Sequence, residues 1–140
     1  MSLVLDSNIL VKLVTGEAGS EEARKTVTTS LKEGCITHTV DAALAEALNA
    51  LWKHVKIHGD LDEEEALLAA QDLLNIWDRL SIIPTSELSK ESLDTAITLN
   101  IPVYDSLYVA AARQVRAMLY TADKRLFEVS KKMVESKLLA

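Results

Sequence analysis

The chain has 140 residues, of which 49% are hydrophobic and 26% charged, a composition typical of one folded globular domain and not of a disordered segment. No apolar run approaches the ~18 residues that cross a bilayer, and the first residues lack the basic and apolar segments of a signal peptide. The one cysteine, Cys35, excludes an internal disulfide. We therefore expect a cytoplasmic protein without a membrane partner.

The net charge of −6 is distributed unevenly along the chain. Residues 1–112 contain 8 basic and 18 acidic residues, whereas residues 113–140 contain 7 basic and 3 acidic ones. An acidic protein is a poor partner for nucleic acid, but a basic C-terminal segment could contact phosphates. The alternative is a solvated basic surface that has no partner.

The first third of the chain predicts two strands and two helices. An apolar run at residues 3–5 that ends at Asp6 is typical of a buried parallel strand, and Asp6 with Ser7 and Asn8 can cap a helix over 9–14. A second helix is expected from Ser20 to about residue 33, ending at Gly34. Residues 35–39 are β-rich and predict the second strand.

The middle of the chain predicts two helices, a strand and a shorter helix. A helix from Asp41 to about residue 57 carries an apolar stripe formed by Leu44, Leu48, Leu51 and Val55. Asp62 and Glu65 have capping-box spacing and predict a helix through Trp77. A strand at 80–84 and a helix at about 89–99 follow, the latter ending before Pro102.

The last part predicts a helix, a strand and a final helix. Asp105 and Asp123 each stand where a helix should begin, and residues 117–120 form the strand between them. Short apolar strands separated by helices predict an α/β protein with a short, mainly parallel central sheet. No linker or repeat divides the chain, so residues 1–140 are expected to form a single domain.

Three aspartates follow predicted strands or begin helices. Ligands of open parallel sheets bind beyond the carboxyl ends of the strands, which is where Asp6, Asp105 and Asp123 are expected. If they converge, their charges require a hard divalent ion such as Mg²⁺ or Mn²⁺. The simpler alternative, that each only caps its helix, stays open. Glu46 lies opposite the leucine stripe, so its pattern indicates a surface position, although neighbouring alanines would admit a cleft.

Four motifs of the chain resemble those of the PIN domain, and within it the VapC-type toxins of toxin–antitoxin pairs. The motifs are Leu-Val-Leu-Asp-Ser-Asn at 3–8, Ala-Glu-Ala-Leu-Asn-Ala-Leu at 45–51, Val-Tyr-Asp-Ser-Leu-Tyr-Val-Ala at 103–110 and Leu-Tyr-Thr-Ala-Asp-Lys-Arg-Leu at 119–126. The resemblance implies a three-layer α/β/α sandwich. It also implies that Asp6, Glu46, Asp105 and Asp123 are catalytic, metal-binding acids supported by Ser7, Asn8 and Thr121.

The resemblance further implies a hydrolase, an endoribonuclease that uses Mg²⁺ or Mn²⁺ and a metal-activated water to cleave RNA phosphodiester bonds. Its expected partners are RNA, a cognate antitoxin and a second copy of the chain in a homodimer. We expect the RNA backbone to contact Arg113, Arg116, Lys124 and Arg125. Two alternatives are a housekeeping PIN-type RNA-processing nuclease and a non-catalytic PIN-fold module that binds proteins.

Three other signals are weaker. His54 and His58 are four residues apart, but the glutamate of a His-Glu-x-x-His zinc motif is missing. Tyr104 and Tyr108 could touch a substrate, although helix packing is the commoner use of such residues. A receiver-like phosphoacceptor domain would need a second acid directly after the first strand, which Asp6-Ser7-Asn8 does not provide.

Overall fold

A computed structural model describes residues 1–139 as a five-stranded parallel sheet covered by helices. The strands are β1 (Leu3–Leu5), β2 (Thr37–Val40), β3 (Ser81–Ile83), β4 (Met118–Thr121) and β5 (Ser136–Leu138). The helices are α1 (Ser7–Val14), α2 (Ser20–Lys32), α3 (Ala42–Lys53), α4 (Glu63–Trp77), α5 (Thr85–Leu99), α6 (Val103–Val115) and α7 (Lys124–Ser130). A π-helical turn, His54–His58, extends α3.

The strand order β3-β2-β1-β4-β5 places β1 at the centre of the sheet. Connections to β2 and β3 run one way from β1, and those to β4 and β5 run the other way, so right-handed crossovers put α1–α4 on one face and α5–α7 on the other. Helix packing agrees, since α1 contacts α2, α3 and α4 whereas α5 packs on α6. The fold is therefore a three-layer α/β/α sandwich, as predicted.

The core is the sheet centre with the inner sides of both helix layers. Leu5, Ile9, Leu73, Leu88 and Tyr120 are among the largest side chains that are completely buried.

Asp62 and Glu65 form the predicted capping box, with Glu65 N–H 2.8 Å from Asp62 Oδ1 and Asp62 N–H 3.0 Å from Glu65 Oε1. Among residues 1–139, no helix is long and apolar enough to cross a membrane.

The structure corrects the predicted face of α3. Ala43, Ala47 and Leu51 are buried, whereas Leu48 in the predicted apolar stripe is 41% exposed. The small alanine side chains let α3 pack closely against its neighbours, so that of the predicted stripe Leu51 is buried, Leu44 is partly buried and Leu48 faces solvent. Because a different side of α3 faces the core than predicted, Glu46 is partly buried and does not lie at the expected surface position.

Several element boundaries also differ from the prediction. α6 begins at Val103 after Pro102, so Asp105 lies in the first turn and is not the cap. α5 begins at Thr85, and β2 and β4 each end one residue later than predicted. The strand β5 was not predicted, because its three residues, Ser136–Leu138, lack a continuous apolar pattern. β5 extends the parallel sheet beside β4.

Candidate active site

Asp6 is the buried acid at the end of the central strand. It is 2% exposed and caps α1, with Ile9 N–H 3.0 Å from its Oδ1. The hydroxyl of Thr121 donates a hydrogen bond to the other oxygen, Oδ2. Burial raises the pKa of Asp6 to about 7, helped by the charge of Asp123 and opposed by hydrogen bonds from Thr121, Ile9 and Asn8.

Asp123 caps the first turn of α7, just beyond β4. Its Oδ1 accepts hydrogen bonds from the N–H groups of Arg125 at 2.9 Å and Leu126 at 3.2 Å. Its own N–H donates to Thr121 Oγ1 at 2.9 Å. Thr121 therefore connects Asp6 and Asp123, because its hydroxyl donates to the first and accepts from the second.

Asn8, in the first turn of α1, fixes the same edge of the sheet. Its Oδ1 accepts the Ala122 N–H at 2.9 Å. Together with the Asp6–Thr121 bond, this contact ties the start of α1 to the segment that follows β4. Asp6 and Asp123 are thus held at neighbouring strand ends, where the direction of the strand connections reverses.

Asp105 reaches the site from the first turn of α6. Its carboxylate accepts no hydrogen bond from residues 1–139, so it has no capping role of the kind that the sequence left open. Burial raises the pKa of Asp105, the charge of Asp123 raises it further, and the charge of Arg125 lowers it. Asp105 therefore lies within electrostatic range of both residues.

Glu46 completes the group from α3. Tyr108 donates a hydrogen bond from its hydroxyl to Glu46 Oε1. Burial raises the pKa of Glu46, the Tyr108 bond opposes this, and the charge of Asp105 adds to it. The four acids are therefore neighbours at one edge of the sheet: the charge of Asp123 raises the pKa values of Asp6 and Asp105, and the charge of Asp105 raises that of Glu46.

Tyr108 is a site residue that the sequence analysis assigned to helix packing. The residue is 2% exposed. The pKa of its phenol is raised far above the usual value by burial, by the bond to Glu46 and by the charges of Glu46 and Asp6, whereas a hydrogen bond with Ser7 lowers it. The phenol therefore stays protonated and acts as a donor. Tyr108 lies three residues after Asp105 on one helix, and this spacing is the sequence feature that could have identified it as a site residue.

The donor set suits a hard divalent ion. All four side chains offer carboxylate oxygens, which Mg²⁺ and Mn²⁺ prefer. Asp6 is destabilised as an anion by burial and by Asp123, so a cation would relieve the largest electrostatic cost at the site. As they stand, no three acidic, histidine or cysteine side chains of residues 1–139 are arranged to hold one ion. Mg²⁺ commonly binds through one or two carboxylates and several waters, which this arrangement can accommodate.

The four basic residues expected to contact RNA separate into two pairs. Lys124 and Arg125 lie in the first turn of α7, beside Asp123, and the charge of Arg125 acts on Asp105. Arg113 and Arg116 lie at the far end of α6, where they line a surface depression with Met1 and Glu135. A helical rise of 1.5 Å per residue puts Arg116 about 16 Å along the axis from Asp105.

His54 and His58 do not form a metal site. His54 Nδ1 lies 2.8 Å from Asp60 Oδ1, and its Nε2 lies 3.3 Å from Glu17 Oε2. The ring is therefore held between two carboxylates and joins the π-helical turn to the loops on either side.

Comparison with known proteins identifies the fold. Ribonuclease VapC3 of Pyrobaculum aerophilum is 33% identical over 128 residues, which cover 91% of this chain and 94% of the relative. The crystal structure of PAE2754 from Pyrobaculum aerophilum covers 96% of this chain and 83% of its own, with a TM-score of 0.71 and 21% identity. The VapBC2 structure from Rickettsia felis, determined with a DNA fragment of its promoter, covers 100% of both chains, with a TM-score of 0.70 and 17% identity.

These two structures share the fold of the chain, and the family model gives its name. The PIN domain model matches residues 3–132, which include strands β1–β4, helices α1–α7 and the four acids described above. The match agrees with the motifs at Asp6, Glu46, Asp105 and Asp123. The chain belongs to the PIN domain family.

Proposed function

We propose that the chain is a divalent-metal-dependent endoribonuclease, the toxin of a VapBC-type toxin–antitoxin pair. The observation that carries the proposal is that Thr121 joins Asp6 to Asp123 at neighbouring strand ends, with Asp105 and Glu46 within electrostatic range. The ribonuclease activity named for the relative at 33% identity supports the substrate class. Carboxylates grouped in this way suit phosphoryl chemistry, since a divalent cation held by them would activate water and neutralise charge on the phosphate.

The four acids would hold the ion, Mg²⁺ or Mn²⁺, one or two of them directly and the others through bound water. A divalent ion bound there would supply positive charge opposite the phosphate and would acidify a water molecule. The chain's contribution is to hold the carboxylates in place: Thr121 donates to Asp6, and two backbone N–H groups fix Asp123. Ser7 and Asn8 support the same edge, through the Tyr108 phenol and the Ala122 amide respectively.

The partners proposed here are RNA, a cognate antitoxin and a second copy of the chain. Apolar side chains on α3 and α4 support protein partners, because Trp52 is 53% exposed and Leu67 is 64% exposed. These two residues line one surface groove together with Leu48. The fold shared with the VapBC2 structure agrees with a toxin–antitoxin role. We place this activity in the cytoplasm, where Cys35 would remain reduced.

Cleavage assays with defined metals test the proposal. The purified chain should cleave single-stranded or structured RNA in Mg²⁺ or Mn²⁺, and EDTA should abolish cleavage until excess metal is restored. Gel analysis of end-labelled RNA gives the rate under each condition. Equal cleavage in EDTA, or no cleavage with either metal, would contradict the proposal.

The positions of the basic residues predict different effects on RNA binding. Lys124→Gln and Arg125→Gln should each weaken RNA binding and reduce the slope of log K against log salt by about 0.7 to 0.9, the value for one lost phosphate contact. Arg113→Gln and Arg116→Gln are the matched controls, because they remove the same charge about 12 Å and about 16 Å from Asp105 along the axis of α6.

Binding is measured by fluorescence anisotropy over a range of salt concentrations, with Ca²⁺ in place of the catalytic metal. The two control variants should retain the salt slope of the unchanged protein. Equal losses in all four variants would show that RNA contacts both ends of α6 or that net charge alone controls affinity.

A further inference from the structure

We infer that Tyr108 is a positioning residue, whose hydroxyl holds the Glu46 carboxylate in place for cation binding. The phenol donates its one hydrogen to Glu46 Oε1. This bond joins α6 to α3 across 62 positions of sequence, and the two helices belong to different layers of the sandwich. Tyr108 on α6 therefore holds the side chain of Glu46, which belongs to α3.

The surroundings of the phenol distinguish Tyr108 from a tyrosine that only fills space. Asp105 lies three residues earlier on α6 and thus on the same side of the helix. The charge of Asp105 acts on Glu46, and the charge of Asp6 acts on the phenol. The hydroxyl is therefore bonded to Glu46 and lies within electrostatic range of Asp6, at a position where a phenylalanine ring would pack equally well but would donate nothing.

Glu46 needs such a partner more than the other acids do. Its side chain is long, and ordering it costs conformational entropy. Asp105 repels it, and solvent is accessible on one side because the residue is only partly buried. A bond to Oε1 opposes this repulsion and leaves the second oxygen available to a cation. Outer partners of this kind orient metal ligands, and their loss commonly weakens metal binding by 10- to 100-fold.

The inference rests on the proposed function, in which Glu46 helps to bind a divalent ion. Its test is a calorimetric Mn²⁺ titration of the whole chain with Tyr108→Phe, which removes the hydroxyl and keeps the ring. Tyr104→Phe is the matched control, because it is the same substitution on the same helix at a side chain that is 66% exposed. Glu46→Gln and the Tyr108→Phe/Glu46→Gln double variant complete the set.

Tyr108→Phe should bind Mn²⁺ at least about tenfold more weakly than the unchanged protein, and Tyr104→Phe should bind within about twofold of it. The double variant should bind no more weakly than Glu46→Gln alone, because Tyr108 acts through Glu46. Thermal melting in EDTA verifies that every variant is folded at the titration temperature.

Other outcomes separate this inference from the proposed function. Near-normal Mn²⁺ binding by Tyr108→Phe, with a clear loss in Glu46→Gln, would overturn the inference and leave the metal site in place. A lower melting temperature with unchanged Mn²⁺ affinity would assign Tyr108 a structural role only and would also overturn it. An unchanged protein that binds no Mn²⁺ would overturn the proposed function and the inference together.

Discussion

Replacing Asp105 with asparagine is expected to reduce RNA cleavage by about a thousandfold without unfolding the protein. A bound metal contributes several kcal/mol to the transition state, and a loss of about 4 kcal/mol corresponds to three orders of magnitude in rate. The fold should be preserved, because the Asp105 carboxylate caps no helix and accepts no hydrogen bond from residues 1–139. Single-turnover cleavage in Mg²⁺ measures the effect.

Asp94 provides the matched control for this substitution. It is an exposed acid on α5, the helix that packs against α6. Asp94→Asn makes the same change in charge and should cleave RNA at the rate of the unchanged protein. Substantial cleavage by Asp105→Asn would remove Asp105 from the metal site, and equal losses in both variants would indicate a general effect of charge.

Replacing Asp6 with asparagine is expected to stabilise the protein at neutral to alkaline pH in the absence of metal. Burial raises the pKa of Asp6 to about 7, whereas an aspartate in an unfolded chain titrates near 3.9. The folded protein therefore retains a proton that the unfolded chain releases, and the free energy of unfolding falls as pH rises from about 4 to about 7.

The size of this effect follows from the shift. About three pKa units correspond to about 4 kcal/mol, which is an upper order of magnitude for the gain in Asp6→Asn above pH 7. Asparagine can still accept the Ile9 N–H bond and can donate to Thr121, so the local contacts have substitutes. Near pH 4 the two proteins should differ little in stability.

Urea unfolding in EDTA at pH 4.5 and pH 8 measures both values. Adding Mn²⁺ at pH 8 should stabilise the unchanged protein by mass action and should have little effect on Asp6→Asn. If the unchanged protein and Asp6→Asn differed in free energy of unfolding by the same amount at both pH values, the raised pKa of Asp6 would be contradicted. Equal stabilisation of both proteins by Mn²⁺ would show that Asp6 is not a ligand.

The sequence predicted the helices and strands that have strong local signals. Asp6 and Asp123 were placed correctly at strand ends because each follows an apolar strand and caps the next helix. The capping box at Asp62 and Glu65 likewise fixed the start of α4. β5 was missed because a three-residue strand at the edge of a sheet is stabilised by pairing with β4 and not by its own pattern.

Glu46 shows what a helical pattern alone cannot supply. The leucines suggested that the side of α3 bearing Leu44 and Leu48 faces the core, yet close packing selected the side of Ala43 and Ala47. A hydrophobic pattern indicates which residues can be buried. Which of them become buried depends on how closely the helices pack. The Glu46–Tyr108 bond depends on that distance and on a partner 62 positions away, so no local signal predicts it.

The bond between Thr121 and Asp6 also has a consequence for synthesis of the protein. It joins residues 115 positions apart. The central strand β1 can pair with β4 only after the residues between them have been synthesised. Because domains fold as the ribosome delivers them, from the N-terminus onward, a growing chain has Asp6 long before it has Thr121 or Asp123. A growing chain that has not reached Thr121 therefore lacks the residue that joins Asp6 to Asp123, and this edge of the sheet forms only after β4 has been made.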